Sequence, residues 1–206
     1  MLLAGPSGSG KSHLAAHLGW PVLRLDDFYR DGDDPLLPRL PSGLADWDAT
    51  DSWNIEAALA AIVRLATTGT VEAPTYSISE SRVTGCHTVV LGDAPAFIAE
   101  GLFGDRLVAG CREVGVLLDA IVLSPNAFVT FVRRFVRDVA EARKPVPVLL
   151  RRGVRLWREH GDVVRRCARA DMRVLSPKRA RVELASVNAP VAVQARGQVR
   201  NAASGW

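Results

Sequence analysis

The sequence predicts an α/β domain in which helices cover both faces of a parallel sheet, and three observations support this fold class. Short apolar runs alternate with helix-like segments along the chain, which is the order that parallel sheets require. The 206 residues are 48% hydrophobic and 23% charged, so the chain can bury a core and is too apolar for general disorder. A glycine-rich segment joins the first apolar run to the first helix-like segment.

The first half of the chain is divided by its glycines and prolines. Residues 1–4 and 22–25 are apolar and predict strands, and residues 12–18 predict a helix that Gly19 and Pro21 terminate. The polar, proline-rich stretch 30–50 predicts a loop. A second helix is predicted to follow a cap at Asp51 or Ser52 and to end before Gly69. Its predicted buried face consists of apolar residues at helical spacing, namely Ile55, Leu59, Ile62, Val63 and Ala66.

The second half of the chain continues the alternation. Apolar runs predict strands at 88–91, 96–99, 116–123 and 173–175, and residues 128–142 and 148–170 predict helices. We therefore predict one domain over residues 1–186. Residues 187–206 lack periodicity and are predicted to form a flexible tail.

Composition excludes several classes of protein. The longest apolar stretch, residues 114–123, is short and contains Asp119, and no secretory signal is evident, so we expect a cytoplasmic protein with no membrane partner. The three cysteines are far apart, which favours reduced thiols. Residues 133–181 carry 16 Lys and Arg against 5 Asp and Glu, but few aromatic residues, so nucleic acid is disfavoured as a partner.

The most specific motif lies in residues 5–12, which read GPSGSGKS and match the phosphate-loop pattern G-x-x-x-x-G-K-[ST]. Its glycines let the backbone turn and point N–H groups at phosphate oxygens, and the next helix directs its positive end at the same anion. Lys11 is expected to reach the β- and γ-phosphates, and Ser12 to bind Mg²⁺. The predicted nucleotide-binding residues are Gly5, Ser7, Gly8, Ser9, Gly10, Lys11, Ser12 and His13.

Two acidic residues follow strand-like runs and are expected at the edge of the sheet where the phosphates bind. Asp26 follows the apolar residues 22–25, and Glu100 follows residues 96–99. A carboxylate there can hold Mg²⁺ or accept a proton from an attacking hydroxyl. From position alone, a helix cap or loop role for Asp26 and a surface-turn role for Glu100 stay open. The chain has no Asn-Lys pair of the GTPase kind and no L-S-G-G-Q-like signature, which leaves a small-molecule kinase.

The chain resembles the uridine kinase-like group of P-loop kinases, which includes phosphoribulokinase and pantothenate kinase. The matching segments run in order over residues 1–177, and the D-x-F-Y-R and E-G-[IL] patterns make the set more specific than the phosphate loop alone. The segments are residues 5–12, 25–30, 46–53, 71–76, 97–102, 133–138 and 170–174.

The resemblance implies a role for each matching residue. Asp26 would activate the acceptor hydroxyl near Mg²⁺, with Lys11 and Arg137 assisting transfer, and Ser12, Asp26 and Glu100 would surround the metal. Asp48, Tyr76 and Arg82 would line the acceptor pocket. Arg133, Arg134 and Arg137 would belong to a small helical lid at about 133–152 that closes over the phosphates of ATP.

The acceptor is the point at which this sequence departs from the family. Where the family has a His after the Tyr, this chain has Glu80, and an imidazole and a carboxylate make different hydrogen bonds. We expect transfer of the γ-phosphate of ATP to a hydroxyl of a uridine- or cytidine-like nucleoside. A phosphosugar or vitamin-precursor kinase of the same fold and a non-catalytic ATP-binding module stay open. The expected partner is the small-molecule acceptor, and the oligomeric state, including a homo-oligomer, stays open.

Overall fold

A five-stranded parallel sheet organises the computed structural model, which describes residues 1–6, 8–47, 49–124 and 161–185. The strands in chain order are β1 (Leu2–Ala4), β2 (Val22–Arg24), β3 (Thr70–Ser77), β4 (Arg82–Val90), β5 (Ile98–Gly101), β6 (Ala120–Leu123) and β7 (Arg173–Leu175). The order across the sheet is β2-β5-β1-β6-β7, and every neighbouring pair is parallel. The fold class predicted from the sequence is confirmed.

The described helices cover both faces of the sheet. They are α1 (Lys11–Leu18), α2 (Ile55–Thr68), α3 (Val108–Glu113), α4 with described helical residues 161–169, and α5 (Pro177–Ala185). Strand residues alternate between two cores: Leu2 and Val122 point to the side of α2, α3 and α4, whereas Leu3 and Ile121 point to the side of α1 and α5. This alternation explains why β1 and β6 are apolar at every position, because both of their faces are buried.

Residues 70–90 form an antiparallel hairpin, which corrects the sequence reading. The run 88–91 was predicted as a strand of the parallel sheet, but it belongs to β4, which pairs with β3 in a separate two-stranded sheet. The strands alternate in burial, as expected when one face packs on a core: Val71, Ala73 and Val89 are buried, and their neighbours along the strands are exposed or, at Pro74, half-buried. The register shifts at a bulge between Thr75 and Tyr76.

The buried face of helix α2 overlaps the predicted one but is rotated from it. Ile62 is buried and Leu59 and Val63 are partly buried, as predicted, whereas Ile55 is 38% exposed and Ala66 is exposed. The other buried residues, Ala58, Ala61 and Leu65, were not predicted. The predicted cap was also wrong: Asn54 Oδ1 accepts the Ala57 N–H at 3.0 Å, because residues Thr50–Ser52 form a 3₁₀ turn of their own. The predicted end at Gly69 is confirmed.

Several other boundaries differ from the prediction. Strand β2 ends at Arg24, and a 3₁₀ turn, Leu25–Phe28, follows it. Strand β6 begins at Ala120 rather than at residue 116, and helices α3 and α5 were not predicted. The predicted lid at 133–152 and the tail at 187–206 lie outside the described residues. Within residues 1–124 and 161–185, apart from residues 7 and 48, no helix has the length and hydrophobicity to cross a membrane.

Candidate active site

The glycine-rich loop between β1 and α1 has the geometry that its sequence predicts. A Cβ atom on Gly5 would lie 2.9 Å from both the Leu123 carbonyl oxygen and Ser9 Oγ, so only glycine fits there. Gly10 is the N-cap of α1 with φ 97°, a conformation that favours glycine, and no side chain caps the helix. A glycine at this position offers no side chain to compete with a ligand at the positive end of α1, which suits the binding of phosphate oxygens there. Ser7 lies outside the described residues.

Two polar side chains of this loop are turned toward its interior. Lys11 Nζ donates a hydrogen bond to the Gly5 carbonyl oxygen at 2.9 Å, which holds the ammonium group against the loop that it helps to close. Ser9 is 2% exposed, and its Oγ is buried with no hydrogen-bond partner in the part of the chain that the structure describes. A buried hydroxyl without a partner is costly, so the loop holds polar groups that a bound anion could satisfy.

Ser12 and Glu100 form a pair at the carboxyl edge of the sheet. Ser12 Oγ donates to Glu100 Oε1 at 3.2 Å, and Glu100 Oε2 is buried with no hydrogen-bond partner among the described residues. Glu100 is the third residue of β5 rather than the residue after the strand, and it stands opposite Leu3 on one side and Arg24 on the other. Its carboxylate is thus fixed by a central strand at the start of the phosphate loop.

The Ser12–Glu100 pair fits Mg²⁺. A buried carboxylate oxygen without a partner is the kind of group that a divalent cation or its bound water satisfies. Among the described residues, no group of three or more His, Cys, Asp and Glu could hold a metal ion. Mg²⁺ suits this sparse set, because it keeps several waters and binds through one or two carboxylates together with phosphates.

Asp26 lies on the 3₁₀ turn that follows β2, next to β5. It is exposed, and its Oδ1 accepts the Leu102 N–H at 3.3 Å. Gly101 makes this contact possible, since a Cβ atom there would lie 2.6 Å from Leu25 Cβ and 3.0 Å from Asp26 Oδ1. Asp26, on the turn after β2, and Glu100, in the adjacent strand β5, thus lie at the same edge of the sheet, which is where the sequence predicted both acids. The Asp26 carboxylate is exposed to solvent, whereas Glu100 is partly buried and bonded to Ser12.

The neighbouring carboxylate, Asp27, has a structural role. It is 4% exposed, accepts the Tyr76 N–H at 3.3 Å and lies 3.7 Å from Arg24 Nε. The Tyr76 hydroxyl donates to the Arg30 carbonyl oxygen at 3.0 Å. Burial and, secondarily, the charge of Asp31 raise the pKa of Tyr76 above its usual value, so the phenol stays protonated as the donor. These bonds fasten the β3–β4 hairpin to the turn that carries Asp26.

Aromatic rings surround this junction. Tyr29 contacts Trp47, Tyr76 and Phe103 with ring centroids 5.9 to 6.1 Å apart, and Trp47 lies 6.5 Å from Tyr76. Tyr29, Trp47 and Tyr76 are partly exposed, so the group presents ring surface beside the carboxylates. Trp53 differs, because it is 2% exposed and donates through Nε1 to the Leu25 carbonyl oxygen at 2.7 Å.

The remaining predicted site residues are either exposed or outside the described part of the chain. His13 is exposed on α1, and Arg82 is exposed at the start of β4, where its Nε lies 3.8 Å from Glu80 Oε2. Four further predicted residues lie outside the described part of the chain, namely Asp48, Arg133, Arg134 and Arg137. The roles predicted for all of these residues stay predictions.

Sequence reasoning missed a buried ion pair beside the site. Asp105 is 6% exposed and accepts two hydrogen bonds from Arg166, at 2.9 and 3.1 Å. The two residues are 61 positions apart, and no motif links them. The one available signal was an acidic residue between the apolar residues Phe103 and Leu107, since such an acid is rarely buried without a cation.

Comparisons with known proteins agree with this architecture. No protein-family model matches the sequence, and no curated protein sequence matches it. Among solved structures, a Silicibacter sp. TM1040 protein provisionally named a fructose transport system kinase is 19% identical, with a TM-score of 0.54 over 85% of this chain and 86% of its own. This likeness shows that the chain has the P-loop α/β fold of that protein.

Two further solved structures are similar over a smaller part of the chain. A possible uridine kinase from Bacillus stearothermophilus is 19% identical, with a TM-score of 0.44 over 64% of this chain and 73% of its own. Phosphoribulokinase from Rhodobacter spheroides is 17% identical, with a TM-score of 0.47 over 73% of this chain and 61% of its own. These structural neighbours bear names of the kinase group that the sequence resembles.

Proposed function

We propose that this chain is an ATP-dependent phosphotransferase that moves the γ-phosphate of ATP to a hydroxyl group of a small molecule. One observation carries the proposal: the phosphate loop and two carboxylates lie at one edge of the sheet, with Ser12 Oγ bonded to Glu100 of β5 and Asp26 on the 3₁₀ turn that follows the adjacent strand β2. A nucleotide-binding module needs the loop, whereas the acceptor-side carboxylate is useful only for transfer.

The loop would bind the phosphates of ATP through its backbone. The N–H groups at the start of α1 and the Lys11 ammonium would neutralise the β- and γ-phosphates. Lys11 would exchange its bond with the Gly5 carbonyl oxygen for one with phosphate, so little movement is needed. By resemblance, His13, Arg133 and Arg134 would complete the nucleotide site.

The metal site would use Ser12 and Glu100, with Asp26 nearby as an outer partner. When bound, Mg²⁺ would supply charge neutralisation at the β- and γ-phosphate oxygens. Within the described part of the chain the buried Glu100 Oε2 has no hydrogen-bond partner, so a cation or its bound water would remove a cost that the carboxylate otherwise carries.

Asp26 would orient the acceptor hydroxyl and take its proton. A bond forms between the acceptor oxygen and the γ-phosphorus, the bond to the bridging oxygen breaks, and the electron pair leaves with ADP. Exposure suits Asp26 to this role, since its carboxylate has one oxygen bonded to the Leu102 N–H and can reach a solvent-borne acceptor. By resemblance, Arg137 would stabilise the transferred phosphoryl group.

A uridine- or cytidine-like nucleoside is the proposed acceptor. Tyr29, Trp47 and Tyr76 present partly exposed ring surface next to the turn that carries Asp26, which Tyr29 directly follows, and aromatic faces favour a planar base. By resemblance, Asp48 and Arg82 would contact the same acceptor. A different acceptor within the same fold is the second candidate, because Glu80 faces Arg82 at the hairpin end where the family has a His.

The test is an ADP-release assay with Mg·ATP against nucleosides, sugars, phosphosugars and vitamin precursors. Asp26→Asn should lower turnover about 10²-fold or more, the scale of a general base. Asp33→Asn is the matched control, since Asp33 is an exposed acid of the same acidic stretch outside the site, and it should keep full turnover. Full turnover in Asp26→Asn would refute the role of this carboxylate.

Binding separates the remaining alternatives. Calorimetric titration with Mg·ATP should give a measurable affinity that Lys11→Ala weakens at least tenfold. Binding of ATP without ADP release for any acceptor would instead identify a non-catalytic module. Unchanged affinity in Lys11→Ala would reject the phosphate-binding role of the loop.

A further inference from the structure

Arg166 makes more specific contacts than an arginine that only extends into solvent. Its Nε and one Nη atom donate to the two oxygens of Asp105 at 2.9 and 3.1 Å, and that Nη atom also donates to the Leu102 carbonyl oxygen at 3.0 Å. Its guanidinium carbon lies 5.5 Å from the centre of the Phe103 ring. The side chain of Asp105 is 2% exposed, so this pair is buried on the acidic side. A two-pronged arginine–carboxylate pair fixes orientation as well as distance.

The segment that Arg166 holds is the one that supports Asp26. Residues 102–105 leave β5 directly after Glu100 and Gly101, and the Leu102 N–H donates to Asp26 Oδ1. The two polar groups of Leu102 therefore serve different partners: its N–H holds Asp26, and its carbonyl oxygen is held by Arg166. The segment also passes close to the turn that carries Asp26, because a Cβ atom on Gly101 would lie 2.6 Å from Leu25 Cβ and 3.0 Å from Asp26 Oδ1.

We infer that Arg166 is a positioning residue for the acceptor-side carboxylate, acting through Leu102 and Asp105. This inference rests on the proposed function in that it assigns Asp26 the acceptor hydroxyl. Helix α4 is thereby connected to the reacting edge of the sheet, although Arg166 itself does not contact Asp26. This link depends on the planar geometry of the guanidinium group and not on its charge alone, because it donates hydrogen bonds to three oxygens at once, two of Asp105 and one of Leu102.

Arg166→Lys tests this geometric requirement. Lysine keeps the positive charge but cannot reproduce the fork, so kcat should fall about 10- to 100-fold, the scale for a small misplacement of a reacting group. The KM for ATP should stay within about twofold, because the phosphate loop is not touched. Arg165→Ala is the matched control: Arg165 is the preceding residue, its side chain is 66% exposed, and it pairs with Asp162 on its own helix.

A double-variant comparison separates positioning from general support of the fold. In an Asp26→Asn background, Arg166→Lys should lower kcat by less than about twofold, because the carboxylate that it positions is already inactive. An equal loss in both backgrounds would overturn the inference. Asp105→Asn provides a second variant if Arg166→Lys does not fold, and the same dependence on Asp26 is expected of it.

Hydrogen exchange followed by mass spectrometry gives a readout that needs no turnover. Peptides covering residues 101–107 should exchange at least about threefold faster in Arg166→Lys than in the unaltered protein and in Arg165→Ala. Unchanged exchange would overturn the inference, whatever the activity. Absence of Asp26-dependent ADP release from the unaltered protein would instead refute the proposed function, and exchange would then decide whether Arg166 holds this segment.

Discussion

Gly101 is packed directly against the turn that carries Asp26, the carboxylate proposed to activate the acceptor. Replacing it with alanine would place a Cβ atom 2.6 Å from Leu25 Cβ and 3.0 Å from Asp26 Oδ1. The first of these atoms is attached directly to the backbone, so a rotamer change cannot relieve the contact, and β5 must separate locally from the turn Leu25–Phe28. The adjacent pairing of Arg24 with Glu100 would be strained at the same time.

The expected size of the effect follows from this contact. Overpacking of a fitted interior costs about 1 to 3 kcal/mol. At roughly 2 to 4 °C per kcal/mol for a domain of this size, Tm should fall by about 2 to 12 °C. A displacement of Asp26 approaching 1 Å should lower kcat about 10²-fold, because reaction rates depend steeply on the alignment of the reacting groups.

Gly110→Ala is the matched control for this experiment. A Cβ atom at Gly110 would also be close to a neighbour, 2.9 Å from Leu59 Cδ2, but that atom is the end of a flexible side chain. Since Gly110 lies inside α3, alanine should gain up to roughly 1 kcal/mol of helix propensity, which offsets the crowding. Thermal melts of both variants and ADP release check the prediction. If Gly101→Ala melts within about 1 °C of the unaltered protein with undiminished turnover, the packing argument is refuted.

Three further predictions test other parts of the structure. Glu100→Gln should weaken the binding of Mg²⁺, so that about tenfold more Mg²⁺ is needed for half-maximal ADP release; an unchanged Mg²⁺ titration would contradict this. Asp27→Asn should lower Tm by about 2 to 8 °C through the loss of a charged, buried hydrogen-bond acceptor; its turnover should fall far less than that of Asp26→Asn, and the reverse order would exchange the two roles. Iodoacetamide at pH 8 should modify Cys86 alone in the native protein, because Cys86 is exposed whereas Cys111 and Cys167 are buried. Burial also raises the pKa of the Cys167 thiol to about 12, so little reactive thiolate forms there. Rapid labelling of Cys167 in the native protein, detected by peptide mass spectrometry, would contradict this prediction.

The Cys167 thiol also gives a direction for stability against pH. Its pKa is about 12 in the folded chain and near 9 when unfolded, so the thiolate forms more easily in the unfolded state. The contribution of this thiol is therefore fully present below pH 9 and declines as pH rises toward 12. Melts between pH 8 and pH 10.5 should show a smaller decline in Cys167→Ala than in the unaltered protein.

The site could be predicted from sequence wherever its residues are close together in the chain or follow strands. Residues 5–12 are one continuous motif, and the carboxyl ends of parallel strands meet at one edge, so Asp26 and Glu100 were both predicted at the edge of the sheet where the phosphates bind. The hairpin was missed because its outer positions, such as Thr88 and Glu72, are polar and its β3 strand contains a proline, Pro74. The buried face of α2 was predicted only in part, with Ile62 correct and Ile55 and Ala66 wrong, because an alanine-rich helix offers several similar apolar faces and only the packing selects among them.

The sequence by itself determined the phosphate loop, the alternation of strands and helices, and the acidic residues at the strand ends, since each depends on local pattern. The tertiary structure alone decided the strand order, the separate hairpin that carries Tyr76, and the pairing of Arg166 with Asp105 across 61 residues. The tertiary structure also explains why residue 101 must be glycine. The atoms that leave no room for a side chain at Gly101 belong to Leu25 and Asp26, on the turn that follows β2. Such contacts depend on which segments the shared hydrophobic core brings together, and no local pattern encodes that choice.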